Sequence, residues 1–284
     1  MTLTAPGLET VSREETMEAL ARLESSVGSH ERLLIAFSGG VDSAVLLAVA
    51  HRALGERAAA ITADSPSMAR AELDGAIRFA ARLGVRHRIV TTGEMERPEY
   101  VRNEPDRCFW CKQTLFEVSA RLAEEAGGAT VAYGYTRDDV GDYRPGHEAA
   151  RTFRVATPLW DANLGKREIR AIALALGLDV WDKPAAPCLS SRIPYGSEVT
   201  VEKLRAIEAM ESLLHESGFR VCRARYDGSE MRIEVESADL ARAAEPAIQR
   251  LMNEKARELG VERLALDPEG FVSGKLNRRV RREG

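Results

Sequence analysis

The sequence predicts an α/β fold, in which an open parallel sheet carries helices on both faces and a smaller α+β domain follows. As far as residue 181, short apolar runs alternate with longer amphipathic segments, as in strands joined by right-handed helical crossovers. After the proline-rich stretch 184–194, the pattern changes to a helix, a strand pair and a further helix. We therefore predict one domain over residues 1–196 and a second over 197–284, which would serve substrate binding or oligomerisation.

Each element of the first domain follows from its local pattern. Short apolar runs predict strands at 32–37, 58–63, 85–90, 130–135 and 179–181. Amphipathic segments predict helices at 43–54, 68–83, 111–126 and 166–176. In the third of these helices Leu115, Val118 and Leu122 share one face, and Gly177 stops the fourth.

The second domain has a different arrangement. We predict a helix at 201–217, strands at 219–226 and 231–235 around the Asp227-Gly228 turn, and a helix at 238–259. In the first domain, segment 97–106 is polar and is expected to be a loop.

The composition is that of an ordinary soluble protein, with 44% apolar and 30% charged residues. The formal net charge of −4 argues against a general nucleic-acid binder. No apolar stretch approaches the roughly 18 residues that span a bilayer, and the N-terminal residues lack the order of a signal peptide. We expect a cytoplasmic homo-oligomer with reduced cysteines that binds neither nucleic acid nor membranes.

The most informative motif lies between a predicted buried strand and a helix, and it reads Ser38-Gly39-Gly40-Val41-Asp42-Ser43. Two glycines let the backbone turn tightly and approach a ligand closely. Successive amides then point at one concavity at the positive end of a helix. The serine hydroxyls can bind the same anion and the aspartate can hold Mg²⁺ against it, so the loop suits pyrophosphate. The glycine spacing is that of neither a Walker A loop nor a dinucleotide fingerprint.

This loop resembles the mark of the PP-loop ATP pyrophosphatase superfamily, whose fold is that of the adenine nucleotide alpha hydrolases. The resemblance implies an enzyme that attacks the α-phosphorus of ATP and releases pyrophosphate. It implies that residues 38–43 cradle the β- and γ-phosphates, and that Ala63, Asp64 and Ser65 lie near the adenine or ribose. Ligands of open parallel sheets gather at this carboxyl edge of the strands.

Further motifs are similar to those of the LarE family, over about residues 15–275. They are Arg107-Cys108-Phe109-Trp110-Cys111-Lys112, Tyr133-Gly134-Tyr135-Thr136-Arg137-Asp138-Asp139, Gly141-Asp142-Tyr143-Arg144-Pro145-Gly146, Thr157-Pro158-Leu159, Trp181-Asp182-Lys183-Pro184 and Pro187-Cys188-Leu189-Ser190-Ser191-Arg192-Ile193-Pro194-Tyr195-Gly196. The motifs add Gly134, Asp138 and Ser191 to the expected nucleotide-binding residues. Thr136 departs from the asparagine expected at its position, which leaves the role of that loop open.

LarE proteins are ATP-dependent sulfur transferases in the making of the nickel-pincer nucleotide cofactor. The resemblance implies that ATP adenylates a carboxylate of a pyridinium mononucleotide and that Cys188 delivers sulfur, leaving a thiocarboxylate. A thiolate is a competent nucleophile toward an acyl-adenylate. Asp42 with Mg²⁺, and Lys183 or Arg192, would screen the phosphate charge. A sulfur donor or other proteins of the cofactor pathway are expected partners.

The cysteines allow several interpretations. Cys108 and Cys111 have a metal-binding spacing, and with Cys188 they would supply three thiolates to a [4Fe–4S] cluster with one iron open for an extra sulfide. The resemblance to cluster-bearing members of the family favours this reusable sulfur carrier. A lone active Cys188 that becomes dehydroalanine, a zinc site completed by Cys222, and inert buried thiols are the alternatives.

In the second domain, Arg223 and Arg225 share one face of a predicted strand and could grip a phosphate. The family resemblance makes Glu211 and Glu234 candidate metal ligands. Two other functions stay open: a different adenylating reaction of the superfamily, such as tRNA thiolation or amidation, and a non-catalytic nucleotide-binding or cluster-binding module.

Overall fold

The structure, a computed structural model, describes residues 11–139, 145–272 and 274–275. The chain divides into two compact units: the first comprises Met1–Gly93 and Cys108–Ala186, and the second Glu94–Arg107 and Pro187–Gly284. The domain boundary predicted near Gly196 stays a prediction. Among the described residues, no helix is long and apolar enough to cross a membrane.

Seven strands are described: β1 (Leu33–Ala36), β2 (Ala58–Asp64), β3 (Arg86–Thr91), β4 (Thr130–Tyr133), β5 (Cys222–Tyr226), β6 (Glu230–Val235) and β7 (Arg263–Leu266). The α-helices of the described residues are α1 (Arg13–Gly28), α2 (Val41–Leu54), α3 (Arg70–Leu83), α4 (Pro98–Val101), α5 (Arg107–Glu125), α6 (Pro145–Thr152), α7 (Pro158–Asp161), α8 (Lys166–Ala175), α9 (Val201–Glu216), α10 (Leu240–Ala243) and α11 (Pro246–Glu258).

The first unit is built on a parallel sheet in the order β3-β2-β1-β4. Strand β1 is buried along its whole length, which explains its uninterrupted apolar run. Helix α2 is buried from Ser43 to Ala50 and is correspondingly apolar on all sides. Helix α3 instead buries one face, through Leu73, Ala76 and Phe79. The predicted fold class is confirmed.

The second unit has a three-stranded sheet in the order β5-β6-β7. Strands β5 and β6 are antiparallel and are joined at Gly228, whose φ of +115° favours glycine. The carboxylate of Asp227 accepts hydrogen bonds from the amides of Ser229 and Glu230, which fixes the turn. Strand β7 is parallel to β6 and follows α11.

Two predicted elements differ from the structure, and one strand of the structure was not predicted. Residues 179–181 form turns, not a strand, and Arg170 donates to the carbonyls of Trp181 and Lys183. The helix predicted at 238–259 is interrupted before Pro246, which cannot continue a helix from its interior and instead begins α11. Strand β7 was not predicted, because four residues carry little periodicity.

The segment expected to be a loop at 97–106 contains α4 and two fully buried side chains. Tyr100 and Asn103 are 1% and 0% exposed, respectively. Their burial could not be read from a polar sequence, since it depends on partners about 90 residues away in the chain.

Candidate functional site

The glycine loop follows β1 directly and bends through Gly39. Its φ is +74°, a conformation that side chains with a Cβ rarely adopt. A Cβ at this position would also lie 3.3 Å from the Cβ of Ala76 on α3. Both constraints require glycine, so the backbone itself forms the surface of the loop.

The two serines of the motif meet across the loop. Their hydroxyl oxygens are 3.2 Å apart, the amide of Ser38 points at Oγ of Ser43 at 3.3 Å, and that hydroxyl donates to the carbonyl of Gly40 at 3.0 Å. Ser38 is exposed while Ser43 is buried. Ser43 therefore closes the loop, and Ser38 faces solvent.

Helix α2 begins immediately after Gly40, which forms its N-cap and supplies no side-chain hydrogen bond. The first amides of a helix lack partners within it and carry partial positive charge. Gly134, at the end of β4, lies against this terminus: a Cβ there would be 3.1 Å from the amide nitrogen of Ser43 and 3.2 Å from Cβ of Asp42. Glycine at 134 thus keeps side-chain bulk away from the helix terminus.

Asp42 is the carboxylate of this site. Its Oδ2 accepts from Nζ of Lys166, at the start of α8, while its Oδ1 is buried and accepts no hydrogen bond from the described residues. A buried carboxylate oxygen without a partner is costly unless something else satisfies it. Oxygen is the ligand that Mg²⁺ prefers, so this residue fits the predicted metal.

Lys183 also lies at the loop. Its ammonium donates to the carbonyl of Gly39 at 3.0 Å and pairs with Glu72 at 2.8 Å. The pair is about three-quarters buried on each side. The predicted site residues 38–43, 134 and 183 therefore come together at the carboxyl edge of the sheet, as expected for ligands of such folds.

Asp138 and Thr136 have structural partners. Asp138 accepts from the amide of Lys166 and so binds the N-terminus of α8. Thr136 is fully buried, and its amide and hydroxyl both donate to one oxygen of Asp139, at 2.8 and 3.0 Å. The threonine that departs from the family pattern thus anchors its own loop. Residues 141–144 of the following motif lie outside the described residues.

The residues at the end of β2 are placed as follows. Asp64 pairs with Arg70 at 2.5 Å, and both are about half exposed. Ser65 is buried, with its hydroxyl 2.8 Å from that of Ser67, and Ala63 is half-buried. Their predicted role near the adenine or ribose stays a prediction.

Behind the loop, Thr62 links β2 to the residue after β1. Its hydroxyl donates to the carbonyl of Phe37 at 2.6 Å and lies 2.7 Å from Nε2 of His87. Burial lowers the pKa of His87, so the neutral imidazole is favoured there. This contact supports the strand end from which the loop departs.

In the second unit, Cys188 precedes a short 3₁₀ turn, Leu189–Arg192, and is half-buried. Arg192 is 3% exposed, and Nε and Nη2 each donate to the carboxylate of Glu211 at 2.9 Å. Its Nη1 donates to the carbonyls of Pro187 and Cys188. Arg192 thus fixes the backbone on both sides of the peptide that joins these two residues.

Arg225 and Glu234 form the second buried pair. Nε and Nη2 of Arg225 lie 3.2 and 3.1 Å from one oxygen of Glu234, and Nη1 donates to the carbonyl of Ser191 at 2.6 Å. Arg223 is buried, and its desolvation, with the nearby charge of Arg192, lowers its pKa to about 10. The predicted roles of the arginines and carboxylates toward phosphate and metal stay predictions.

The remaining cysteines differ in environment. Cys108 is exposed and Cys111 is half-buried, in the first turns of α5. Cys222 is fully buried, and burial raises the pKa of its thiol to about 12. In the part of the chain that the structure describes, no group of three or more His, Cys, Asp or Glu side chains is arranged to hold a metal ion.

Sequence reasoning missed Lys166 and Glu72 as neighbours of the loop. A signal for Lys166 existed: it is the first residue of α8, where a positive charge opposes the helix dipole. A lysine in that position indicates an acidic partner or an anionic ligand. Glu72 gives no such signal, since acidic residues are favourable in a first helical turn.

The parallel sheet, the glycine bend and the adjoining carboxylate define an ATP-dependent enzyme of the PP-loop class. The asparagine synthase family matches residues 18–109, which include the loop. The chain is also 30% identical over 222 residues to a subunit of the glutamine-hydrolyzing GMP synthase of Methanothermobacter thermautotrophicus, covering 70% of each chain.

Two relatives match over nearly the full length. The pyridinium-3,5-bisthiocarboxylic acid mononucleotide synthase of Lactiplantibacillus plantarum is 31% identical over 258 residues, 90% of this chain and 93% of the relative. A protein of Synechocystis sp., "Uncharacterized protein slr1717", is 40% identical over 259 residues, 91% and 97% of the two chains. The chain belongs to the LarE family.

Proposed function

We propose that this protein is an ATP-dependent sulfur transferase that adenylates a carboxylate of a pyridinium biscarboxylic acid mononucleotide and replaces its activated oxygen with sulfur. The observation that carries the proposal is the loop at 38–43, with an uncapped helix terminus beside a buried oxygen of Asp42 that has no partner among the described residues. The 31% sequence identity to a pyridinium-3,5-bisthiocarboxylic acid mononucleotide synthase supports this choice of substrate.

In the first step, a carboxylate oxygen of the substrate attacks the α-phosphorus of ATP, and pyrophosphate leaves with the electron pair of the broken P–O bond. The amides of the glycine bend and of the α2 terminus would bind the departing phosphates. Lys183 and Lys166 lie at the loop as cations to balance their charge. Mg²⁺ held by Asp42 would supply further charge neutralisation.

Where Cys188 itself is the source of the sulfur, its thiolate attacks the acyl carbon in the second step, and AMP leaves with the electron pair of the C–O bond. The resulting thioester still holds the sulfur on the protein. Removal of the Cα proton of Cys188 by a base, with cleavage of its Cβ–S bond, leaves the pair on sulfur. The products are a thiocarboxylate and dehydroalanine at position 188.

A cluster would replace this self-sacrificing step. We propose that Cys108, Cys111 and Cys188 together hold a [4Fe–4S] cluster, in which the fourth iron is able to carry a transferable sulfide. Two features support the donor set: Cys108 and Cys111 are three residues apart on one helix, and neither they nor Cys188 are fully buried. The buried Cys222 is no part of the proposal.

The second unit would bind the substrate phosphate through Arg223 and Arg225. Because both side chains are already partly engaged, substrate phosphate would join existing contacts. Glu211 and Glu234 as metal ligands would have to exchange their ion pairs for the metal. We further propose a homo-oligomer of the cytoplasm that works with a sulfur donor of the same pathway.

The decisive experiment measures pyrophosphate release from MgATP with the pyridinium biscarboxylic acid mononucleotide, with tRNA, and with a purine nucleotide plus ammonia. We expect release only with the first, its loss in Asp42→Ala, and a thiocarboxylate product that Cys188→Ser abolishes. Release dependent on tRNA, or on a purine nucleotide with ammonia, would overturn the substrate. Unchanged ATP turnover in both variants would favour a binding module.

The source of the sulfur is tested separately. Protein purified without oxygen should contain about four iron and four acid-labile sulfide per chain if the cluster is present. Iron-free protein that makes one thiocarboxylate per chain, and whose Cys188 becomes lighter by one H₂S in mass spectrometry, would refute the cluster.

A further inference from the structure

Residues 94–107, which we call the bracket, belong to the second compact unit together with the segment that carries Cys188. The mechanism proposed above uses none of them. The bracket nevertheless buries the polar side chains of Tyr100, Asn103 and Arg107, each no more than 2% exposed, in addition to that of Glu94. Burial of this kind requires specific partners.

Asn103 binds the chain that follows the 3₁₀ turn. Its Nδ2 lies 2.8 Å from the carbonyls of both Pro194 and Ser197, and 3.3 Å from that of Ile193. Its own carbonyl accepts from the amide of Gly196 at 3.1 Å. Asn103 has a φ of +58°, which asparagine tolerates better than most residues. The conformation and the amide together explain why asparagine stands here.

Arg107 and Tyr100 bind the turn itself, two residues from Cys188. Nη1 of Arg107 donates both to the carbonyl of Ser190, at 2.9 Å, and to Oδ1 of Asn103. The hydroxyl of Tyr100 lies 2.6 Å from the fully buried hydroxyl of Ser190. One nitrogen of Arg107 thus links Ser190, in the 3₁₀ turn, to Asn103, which binds the chain that follows the turn.

Contacts from outside the bracket complete the enclosure of this backbone. Arg192 holds the carbonyls of Pro187 and Cys188, and Arg225 holds that of Ser191. The carbonyls of residues 187, 188, 190 and 191 therefore each accept a hydrogen bond from an arginine side chain. Such an arrangement fixes a backbone in one conformation more firmly than the turn alone would.

We propose that Tyr100, Asn103 and Arg107 are positioning residues for Cys188, acting through Ser190 and the chain at 193–197. They set the place of the thiol from which sulfur is delivered, and they take no part in the adenylation step. The inference rests on the proposed function for the role of Cys188. A role confined to stability is the alternative.

The test compares Arg107→Gln and Arg107→Lys in the full chain, with Arg102→Gln as the control, because Arg102 lies in the same segment and is exposed. Adenylation is followed by substrate-dependent exchange of labelled pyrophosphate into ATP, and sulfur transfer by thiocarboxylate formed in a single turnover. Since a single nitrogen of Arg107 donates to both Ser190 and Asn103, one lysine ammonium can replace it in part.

We expect Arg107→Gln to slow sulfur transfer at least tenfold while adenylation changes less than twofold. Arg107→Lys should recover at least a third of the rate, and Arg102→Gln should match the parent in both steps. An equal loss of both steps, or no difference between the lysine and glutamine variants, would overturn the proposal. Should these variants fail to fold, Tyr100→Phe, which removes one hydroxyl, is expected to slow sulfur transfer about threefold with the same sparing of adenylation.

A substrate-free measurement separates this inference from the proposed function. In chelator-treated protein, the rate of iodoacetamide alkylation at Cys188 is followed by mass spectrometry, with buried Cys222 as the unreactive reference. Arg107→Gln and Tyr100→Phe should change the rate at Cys188 at least threefold without labelling Cys222. An unchanged rate would overturn the positioning role even if sulfur transfer itself were never observed.

Discussion

The glycine loop of the first unit and the Cys188 turn of the second treat their polar groups in opposite ways. The loop presents a helix terminus without a side-chain cap and a buried oxygen of Asp42 that no described residue contacts by a hydrogen bond. Around the turn, the side chains of Arg107, Arg192 and Arg225 are committed to backbone carbonyls. The difference matches the roles that we propose: the loop keeps its donors for a polyanion, whereas the turn that presents the reactive sulfur is held by the protein itself.

The largest expected effect concerns the Cys188 turn and its buried pair of Arg192 and Glu211. Glu211→Met leaves the buried guanidinium of Arg192 without its carboxylate, and we expect it to lower the free energy of unfolding by about 3–5 kcal/mol. The double variant with Arg192→Met should lose less, because no charge is then buried unpaired. Urea unfolding of both variants measures the difference, and a double variant no more stable than the single one would contradict the prediction.

The next effect concerns Asp42, whose buried Oδ1 accepts no hydrogen bond from the described residues. Asp42→Asn keeps the size of the side chain but removes its charge, and we expect ATP turnover to fall about 100-fold. Stability should change by less than about 1 kcal/mol, since the partner Lys166 is nearly half exposed. Asp74→Asn, at an exposed position of α3, is the matched control. If ATP turnover stayed within threefold of the parent, the carboxylate of Asp42 would not be kept for a ligand, and the contrast with the Cys188 turn would be wrong.

A smaller effect separates backbone strain from loss of the ligand site. Gly39→Ala and Gly84→Ala both place a Cβ at a positive φ, but only the first brings that Cβ close to another residue, Ala76 of α3. Each should cost about 1 kcal/mol of stability. Calorimetry with MgATP should show about tenfold weaker binding for Gly39→Ala and unchanged binding for Gly84→Ala. Equal affinities in the two variants would show that the loop does not hold the phosphates.

The smallest effect is a pH dependence behind the loop. Burial lowers the pKa of His87 below its unfolded value of about 6.5. The unfolded chain therefore binds the proton more readily, and the contribution of His87 to stability is complete above that pH and is lost as pH falls through the lower folded pKa. The slope from one proton reaches about 1.4 kcal/mol per pH unit. Unfolding at pH 7.5 and 5.5 should show a smaller pH loss in His87→Asn than in the parent.

Much of the fold and the whole glycine loop could be predicted because their signals are local. Residues 38–43 predict a turn and the start of a helix within six positions, and an apolar run predicts β1. By contrast, Lys166 and Asp42 are 124 residues apart, and no local pattern connects them. A short segment such as 179–181 becomes a strand only when a neighbouring strand offers hydrogen bonds, and here the side chain of Arg170 binds the carbonyl of Trp181 instead.

The burial of the bracket also could not be predicted from local sequence. A polar sequence at 97–106 predicts exposure unless its partners are known, and Tyr100 and Asn103 find theirs in the chain around the Cys188 turn. The two-residue spacing of a strand is enough to place Arg225 on a face. Its pairing with Glu234 depends on the neighbouring strand and therefore on the tertiary fold.

The hydrogen bonds that hold the backbone around Cys188 also have a consequence for biosynthesis. Its contacts join positions far apart in the chain, 83 residues for Arg107 with Ser190 and 94 for Asn103 with Ser197. Closing such large loops is entropically unfavourable, so contacts of this range form late on a folding pathway. Until residues 94–107 had met the chain at 190–197, a nascent chain would carry Cys188, the nucleophile of the proposed mechanism, on a backbone that these hydrogen bonds do not yet hold. The order of folding alone would then suppress premature chemistry at that sulfur.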